Sequence, residues 1–139
     1  MKIITDHIHI KTQGNADIID LTPQLVSVLD ASGLREGQAT VFAPGATAGI
    51  STVEYEPGLL KDIPAAMEKI APSNAVYQHD LTWHDGNGHS HVRATLVGPS
   101  MTVPFVDGRF TLGTWQQVIL LDFDNRPRSR SIVVQLMGA

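Results

Sequence analysis

Apolar and polar residues change rhythm several times along the chain. Near the start, His7, Ile8, His9 and Ile10 alternate, which predicts an amphipathic strand over residues 2–12. Ile18 and Ile19 lie in a second extended stretch. Thr22-Pro23 then reads as an N-cap followed by proline at the first helical position. Leu25, Val28 and Leu29 fall on one helical face, and Gly33 suits the residue just past the helix end. Strands are expected over Ala39–Phe42 and Gly49–Glu54. Pro57-Gly58 opens a second helical region carrying Leu59, Leu60, Ile63, Met67 and Ile70, with a break near Ile63 because Pro64 follows. Residues 73–90 are polar. Beyond them the pattern predicts strands over Val92–Val97, Thr102–Val106, Phe110–Leu112, Gln117–Phe123 and Ser131–Met137. Pro104 marks an edge or bulge, and Asp107-Gly108 is a two-residue hairpin turn of type I′.

These elements sum to seven to nine strands and two helical regions. Helices grouped among strands, without regular alternation, predict an α+β fold with a mainly antiparallel sheet. A length of 139 residues fits one compact domain. A hydrophobic fraction of 42% with 17% charged residues argues against disorder. Zero cysteines exclude disulfide scaffolds and thiolate metal sites, so any metal must sit on His and carboxylate. Ten Lys and Arg against 14 Asp and Glu give a net charge of −4, which argues against nucleic acid as a partner. No apolar run approaches the ~20 residues of a membrane span. Asp6, His7 and His9 interrupt the start of the chain, so no secretory segment is read there and a cytoplasmic protein is expected.

The richest chemistry lies between Tyr77 and Arg93, which holds His79, His84, His89 and His91. If residues 89–91 are extended, His89 and His91 share one face and can ligate one ion, with His79 or His84 as a third ligand. Asp80 and Asp85 then serve as ligand, orienting group or base. The bland alternative is a set of solvated histidines in a polar loop. His7 and His9 have the same spacing and are read as a solvent face. Arg126, Arg128 and Arg130 point one way on a strand and suit phosphate or carboxylate; charge on an edge strand is the alternative. Gly113-Thr114-Trp115-Gln116 is either a pocket wall or core. The small residues of Pro44–Gly49 allow close backbone approach to an anion, without the Gly-Lys-Ser/Thr of a P-loop. Glu54 is a base or a surface carboxylate. No GxSxG, HExxH, Rossmann fingerprint or EF-hand loop is present.

Taken together, several segments resemble the YjbQ-like family, also called the secondary thiamine-phosphate synthase family. They are Asp85-Gly86-Asn87-Gly88 with His89-Ser90-His91-Val92-Arg93-Ala94, Leu112-Gly113-Thr114-Trp115-Gln116-Gln117, Tyr77-Gln78-His79-Asp80, the Gly98–Pro104 segment and the closing Arg-rich strand. The resemblance implies a compact α+β fold, a homotrimer, and a cluster of His with Asn, Trp-Gln and Arg near a subunit boundary. Members are credited with joining a thiazole phosphate to a pyrimidine pyrophosphate with release of pyrophosphate, as a weak, secondary activity. One departure stands out. Many members read His-Thr-Thr-Ala where this chain reads Gly45-Ala46-Thr47-Ala48, so Gly45 replaces a histidine.

The resulting expectation is a trimeric enzyme acting on a small phosphorylated molecule. His79, His89 and His91 are expected to ligate a divalent metal (zinc or magnesium) or to transfer protons. Asn87 and Glu54 complete the catalytic set. Arg128, Arg130 and Thr47 are expected to hold phosphate, Gln116 to orient substrate, and Trp115 to form an apolar wall. The alternatives are a non-catalytic trimer binding the same ligand, favoured by Gly45, and an interaction module whose histidines are incidental.

Overall fold

The computed structural model describes all residues, Met1–Ala139. Its elements are β1 (Lys2–Thr12), β2 (Asp17–Asp20), α1 (Thr22–Ser32), β3 (Gly37–Phe42), β4 (Ala48–Val53), α2 (Leu59–Ile70), α3 (Gln78–Trp83), α4 (Gly88–Val97), β5 (Ser100–Val106), β6 (Arg109–Phe110), β7 (Gln117–Asp122) and β8 (Arg128–Gly138). Eight strands and four helices make an α+β fold, and every strand pair is antiparallel.

The strands form two sheets, one ordered β1-β8-β3-β5-β6 and the other β2-β7-β4. Alternation explains why both faces of β7 are buried. Val118 and Leu120 enter the main core with Val41, Ile132 and Val134 of the large sheet and Leu25 and Leu29 of α1. Ile119 and Leu121 point the opposite way, where Leu60, Ile63 and Met67 of α2 and Ala94 and Val97 of α4 pack against them. The small sheet is therefore the middle layer of the molecule.

The turn chemistry agrees with the sequence. Asp107 and Gly108 both have positive φ, 52° and 75°, as a type I′ hairpin turn requires. Gly33 ends α1 in the left-handed conformation at φ 70°. Three expectations are corrected. Thr22 is the first helical residue, not the cap; its hydroxyl accepts a hydrogen bond from the Val118 amide at 2.9 Å, which ties α1 to β7. Pro64 lies inside α2 without ending it. Val92–Val97 is not a strand but the last part of α4, and the polar stretch before it contains α3 and the start of α4. In α4 the buried residues are His89, Ser90, Arg93 and Ala94, while Val92 and Leu96 face solvent. That is the i, i+4 rhythm of a half-buried helix.

Five chain segments converge at one end of the sandwich: the end of β1 at Thr12, the start of β4 at Ala48, the end of β7 at Asp122, the start of β8 at Arg128, and the start of α4 at Gly88. Gly88 is required there, because a Cβ would lie 2.5 Å from Cβ of Tyr77.

Leu120 is fully buried at the centre of the main core. Leu120→Ala is expected to cost about 2–5 kcal/mol in urea unfolding. A loss below ~1 kcal/mol would contradict this central packing.

Candidate functional site

At the convergent end, Asp122 is 0% exposed and Arg130 is 7% exposed. Arg130 donates from Nε to Asp122 Oδ2 at 2.6 Å and from Nη2 to Oδ1 at 2.9 Å, a bidentate pair. Thr12 of β1 donates its hydroxyl to Asp122 Oδ2 at 2.6 Å, and the Asp124 amide donates to Oδ1 at 3.1 Å. Every strong acceptor direction of this buried carboxylate is thereby used. Arg130 Nη2 also donates to the Thr47 hydroxyl at 2.8 Å, which ties the β3–β4 loop to the pair.

Asp124 forms a second junction next to the first. It accepts from Arg128 Nη1 at 2.8 Å, the Asn125 amide at 2.8 Å and the Thr47 hydroxyl at 3.3 Å. Burial pushes its carboxyl upward. The Asn125 amide, the Asn87 side chain, the Arg128 guanidinium and the Thr47 hydroxyl outweigh burial and hold it below its ordinary value. The Asn87 amide stands between two carboxylates and donates to one of them at a time. Turned one way, its nitrogen lies 3.4 Å from Asp124; turned the other, it donates to the two Asp85 oxygens at 3.1 and 3.0 Å, the better-satisfied arrangement.

The histidines sit on α3 and α4, above this junction. Because α4 is a helix, His89 and His91 are turned about 200° apart rather than sharing one face. The His91 ring lies against His79, with centroids 4.3 Å apart and ring planes tilted by 40°. His89 turns inward beside Tyr77, 6.2 Å between rings, and is 5% exposed. Burial, aided by Arg93, pushes its imidazole below its ordinary value, so it is held neutral. Its Nδ1 and the adjacent Ser90 hydroxyl are buried without a hydrogen-bond partner. Such buried orphans are uncommon.

His79 instead finds carboxylates. Its Nδ1 lies 3.3 Å from Asp80 Oδ1 and 3.5 Å from Asp85 Oδ1. One ligand atom from each of His79, Asp80 and Asp85 falls within a 4.8 Å group, the spacing of a metal-binding set. Asp80 is fixed by the Gly88 amide, which donates to it at 2.8 Å. His84 ends α3 in the left-handed conformation and stays exposed.

Trp115, Gln116 and Glu54 lie elsewhere. They line an open hollow of about 400 Å³ with Thr52, Val53 and Thr114. Gln116 donates to the Thr52 hydroxyl at 3.2 Å and accepts from the Gly113 amide at 3.0 Å. Trp115 is 72% exposed. Register measures the separation from the histidines: Val53 pairs with Gln117, whereas Ala48 pairs with Asp122. Five residues of antiparallel strand place the two ends roughly 17 Å apart. A wider cleft of about 1030 Å³ also adjoins Gln116, between α1 and the Asp107-Gly108 turn, and contains none of the histidines. Arg126 lies in the exposed β7–β8 turn.

Sequence reasoning missed Asp122 and Asp124. The only signal was an acidic residue at the end of an otherwise apolar strand, where burial demands a partner. It also missed Arg93, which is buried and donates to Ala71 O at 3.0 and 2.9 Å and to Glu68 at 2.7 Å. This clamp ties α2 to α4. The Arg93 guanidinium first, with the Ser73 bonds second, lowers Glu68 from 4.5 to about 2.

Both shifts give stability that is present at higher pH and lost on acidification. The enclosed His89 contributes above its ordinary 6.5 and loses that contribution as pH falls below it. The Glu68 contribution begins to fall below 4.5 and is lost as pH passes about 2. Thermal melts against pH are expected to show a first loss below 6.5, which His89→Gln removes. Glu68→Gln should reduce the second loss. An unchanged profile in His89→Gln would contradict the buried neutral imidazole.

Comparison with known proteins agrees on one family. The model of the UPF0047 protein YjbQ-like family matches residues 6–139. A UPF0047 protein of Methanothermobacter thermautotrophicus is 38% identical over 99% of this chain and 94% of its own length. The UPF0047 protein YugU of Bacillus subtilis is 33% identical over 94% of this chain and 97% of its own. A YbjQ-like protein of unknown function from Sulfolobus solfataricus P2 superposes with TM-score 0.94 at 30% identity, covering 99% of both chains. No helix here is long and apolar enough to cross a membrane. A match along nearly the whole chain, in sequence and in fold alike, places the protein in the UPF0047 YjbQ-like family.

Proposed function

We propose that this protein is a divalent-cation-dependent enzyme acting on a small phosphorylated substrate. The charge balance around the His79–Asp80–Asp85 group carries this reading. Asp122 and Asp124 are each paired with an arginine, which leaves the Asp80 and Asp85 carboxylates as two negative charges beside His79 with no Lys or Arg on them. A phosphate alone is repelled by those two carboxylates, whereas a divalent cation is attracted to them. The donor set fits an ion: one imidazole and two carboxylates supply three ligands and leave open positions. Mixed nitrogen and oxygen donors suit zinc; the two carboxylates also suit magnesium with water. A bound cation supplies a charge that receives phosphate or pyrophosphate oxygens.

The chain's own residues have distinct parts. Asp80 is pre-set by the Gly88 amide, and Asn87 holds Asp85. Half-buried His91, tilted against the His79 ring, is placed for proton transfer. His89 is enclosed, so its part is to support α4 beneath them. The family resemblance names a reaction for the site, a thiamine-phosphate-synthase-type transfer that releases pyrophosphate. The Trp115, Gln116 and Glu54 hollow joins the same site only when another copy supplies it. A homotrimer, which the resemblance implies, is therefore part of the proposal, with a cytoplasmic location.

A second reading rests on one observation. Both arginines are already locked in ion pairs, which makes a rigid cradle suited to holding a ligand without turnover. Pyrophosphate release with saturation kinetics would exclude this binding-only trimer.

Calorimetric titration of Mn²⁺ or Zn²⁺ into the protein tests the cation. His79→Ala with Asp85→Asn is expected to weaken binding at least tenfold, with the fold retained. Equal affinity in the folded double variant would contradict the assignment.

A further inference from the structure

Arg130 uses Nε and Nη2 on Asp122 and Thr47, while its Nη1 makes no hydrogen bond within the protein. That nitrogen faces Gly45: a Cβ built on Gly45 would lie 3.2 Å from it. Gly45 has φ 115°, a conformation that disfavours any side chain. The missing side chain thus leaves an open approach to one nitrogen of an otherwise buried guanidinium. The same short loop has further free donors. The amides of Gly45, Ala46 and Thr47 donate no hydrogen bond within the chain, although the Thr47 carbonyl accepts from Phe123 at 2.9 Å and anchors the loop. Successive free amides beside a guanidinium are the donors from which anion-binding concavities are built. The two neighbouring carboxylates do not oppose this, because each is already paired with an arginine.

We infer that the Gly45–Thr47 loop and Arg130 Nη1 form a slot for one phosphate group of the substrate, separate from the cation-binding group. The inference rests on the proposal that the substrate is phosphorylated, and it divides the labour of the site. The acidic His79 side takes the cation, and the Gly45 side takes an anionic oxygen directly. Glycine at position 45 is then a specificity device, since any side chain there closes the approach to Nη1.

Inorganic phosphate titrated into the ¹⁵N-labelled full chain, with chelator present, tests the slot. The Gly45, Ala46 and Thr47 amides are expected to shift together and to saturate. Gly45→Ala is expected to weaken phosphate binding at least tenfold while Mn²⁺ binding persists. The wild-type titration stands alone if that variant folds poorly. Amides at 45–47 that stay still, or Gly45→Ala binding phosphate as tightly as wild type, would overturn the slot. Failure of the cation reading looks different: Mn²⁺ does not bind, yet the three amides still respond to phosphate.

Discussion

The buried pair between Asp122 and Arg130 is the constraint on which the site depends. Removing two charges from water costs several kcal/mol per ion, and attraction repays that only when the remaining donors and acceptors are satisfied. Here they nearly all are: the pair is bidentate, and Thr12, Thr47 and the Asp124 amide complete it. Those partners belong to β1, the β3–β4 loop and the β7–β8 connection, so one interaction fixes the ends of both sheets. The exception is Arg130 Nη1, which points to the gap at Gly45.

A second layer of order builds on this. Thr47 links the pair to Asp124, and Asn125, whose side-chain amide donates to the Asp85 carbonyl at 2.9 Å, links the strand ends to the turn before α4. The imidazoles and carboxylates of α3 and α4 therefore stand on a rigid floor. Charge is balanced inside this floor and unbalanced above it, which separates a region suited to a cation from one suited to an anion. By contrast, Trp115 and Gln116 stand exposed at the far end of the small sheet, away from the imidazoles.

Much of the fold was legible in the sequence because local chemistry and tertiary structure agree. Asp107-Gly108, Gly33 and the alternating β1 each obey a backbone rule that needs no distant partner. The α4 helix was not legible. Val92, Thr95 and Val97 are β-branched and read as strand, while the helical burial of His89, Ser90, Arg93 and Ala94 depends on contacts with α2 and the small sheet. That single misreading also turned His89 and His91 onto a shared face. Within the candidate site, His79, Asn87, Arg128, Arg130 and Thr47 were visible as residue types suited to ligands. Their organisers, Asp122 and Asp124, were not, because a buried carboxylate is recognised by its partners and sequence does not reveal those. The pairing of His79 with Asp80 and Asp85 likewise depends on where α3 ends and the chain turns back.

If the Asp122–Arg130 pair serves the shape of the site rather than the stability of the chain, replacing both partners with apolar residues restores stability without restoring binding. Urea unfolding of Arg130→Met and of Arg130→Met with Asp122→Leu, each paired with a phosphate titration, tests it most directly. The account predicts that the single variant loses about 3–5 kcal/mol, because Asp122 is left buried and unpaired. It predicts that the double variant regains most of that stability and still fails to bind phosphate. A double variant that binds phosphate as wild type does, or a single variant as stable as wild type, would contradict it.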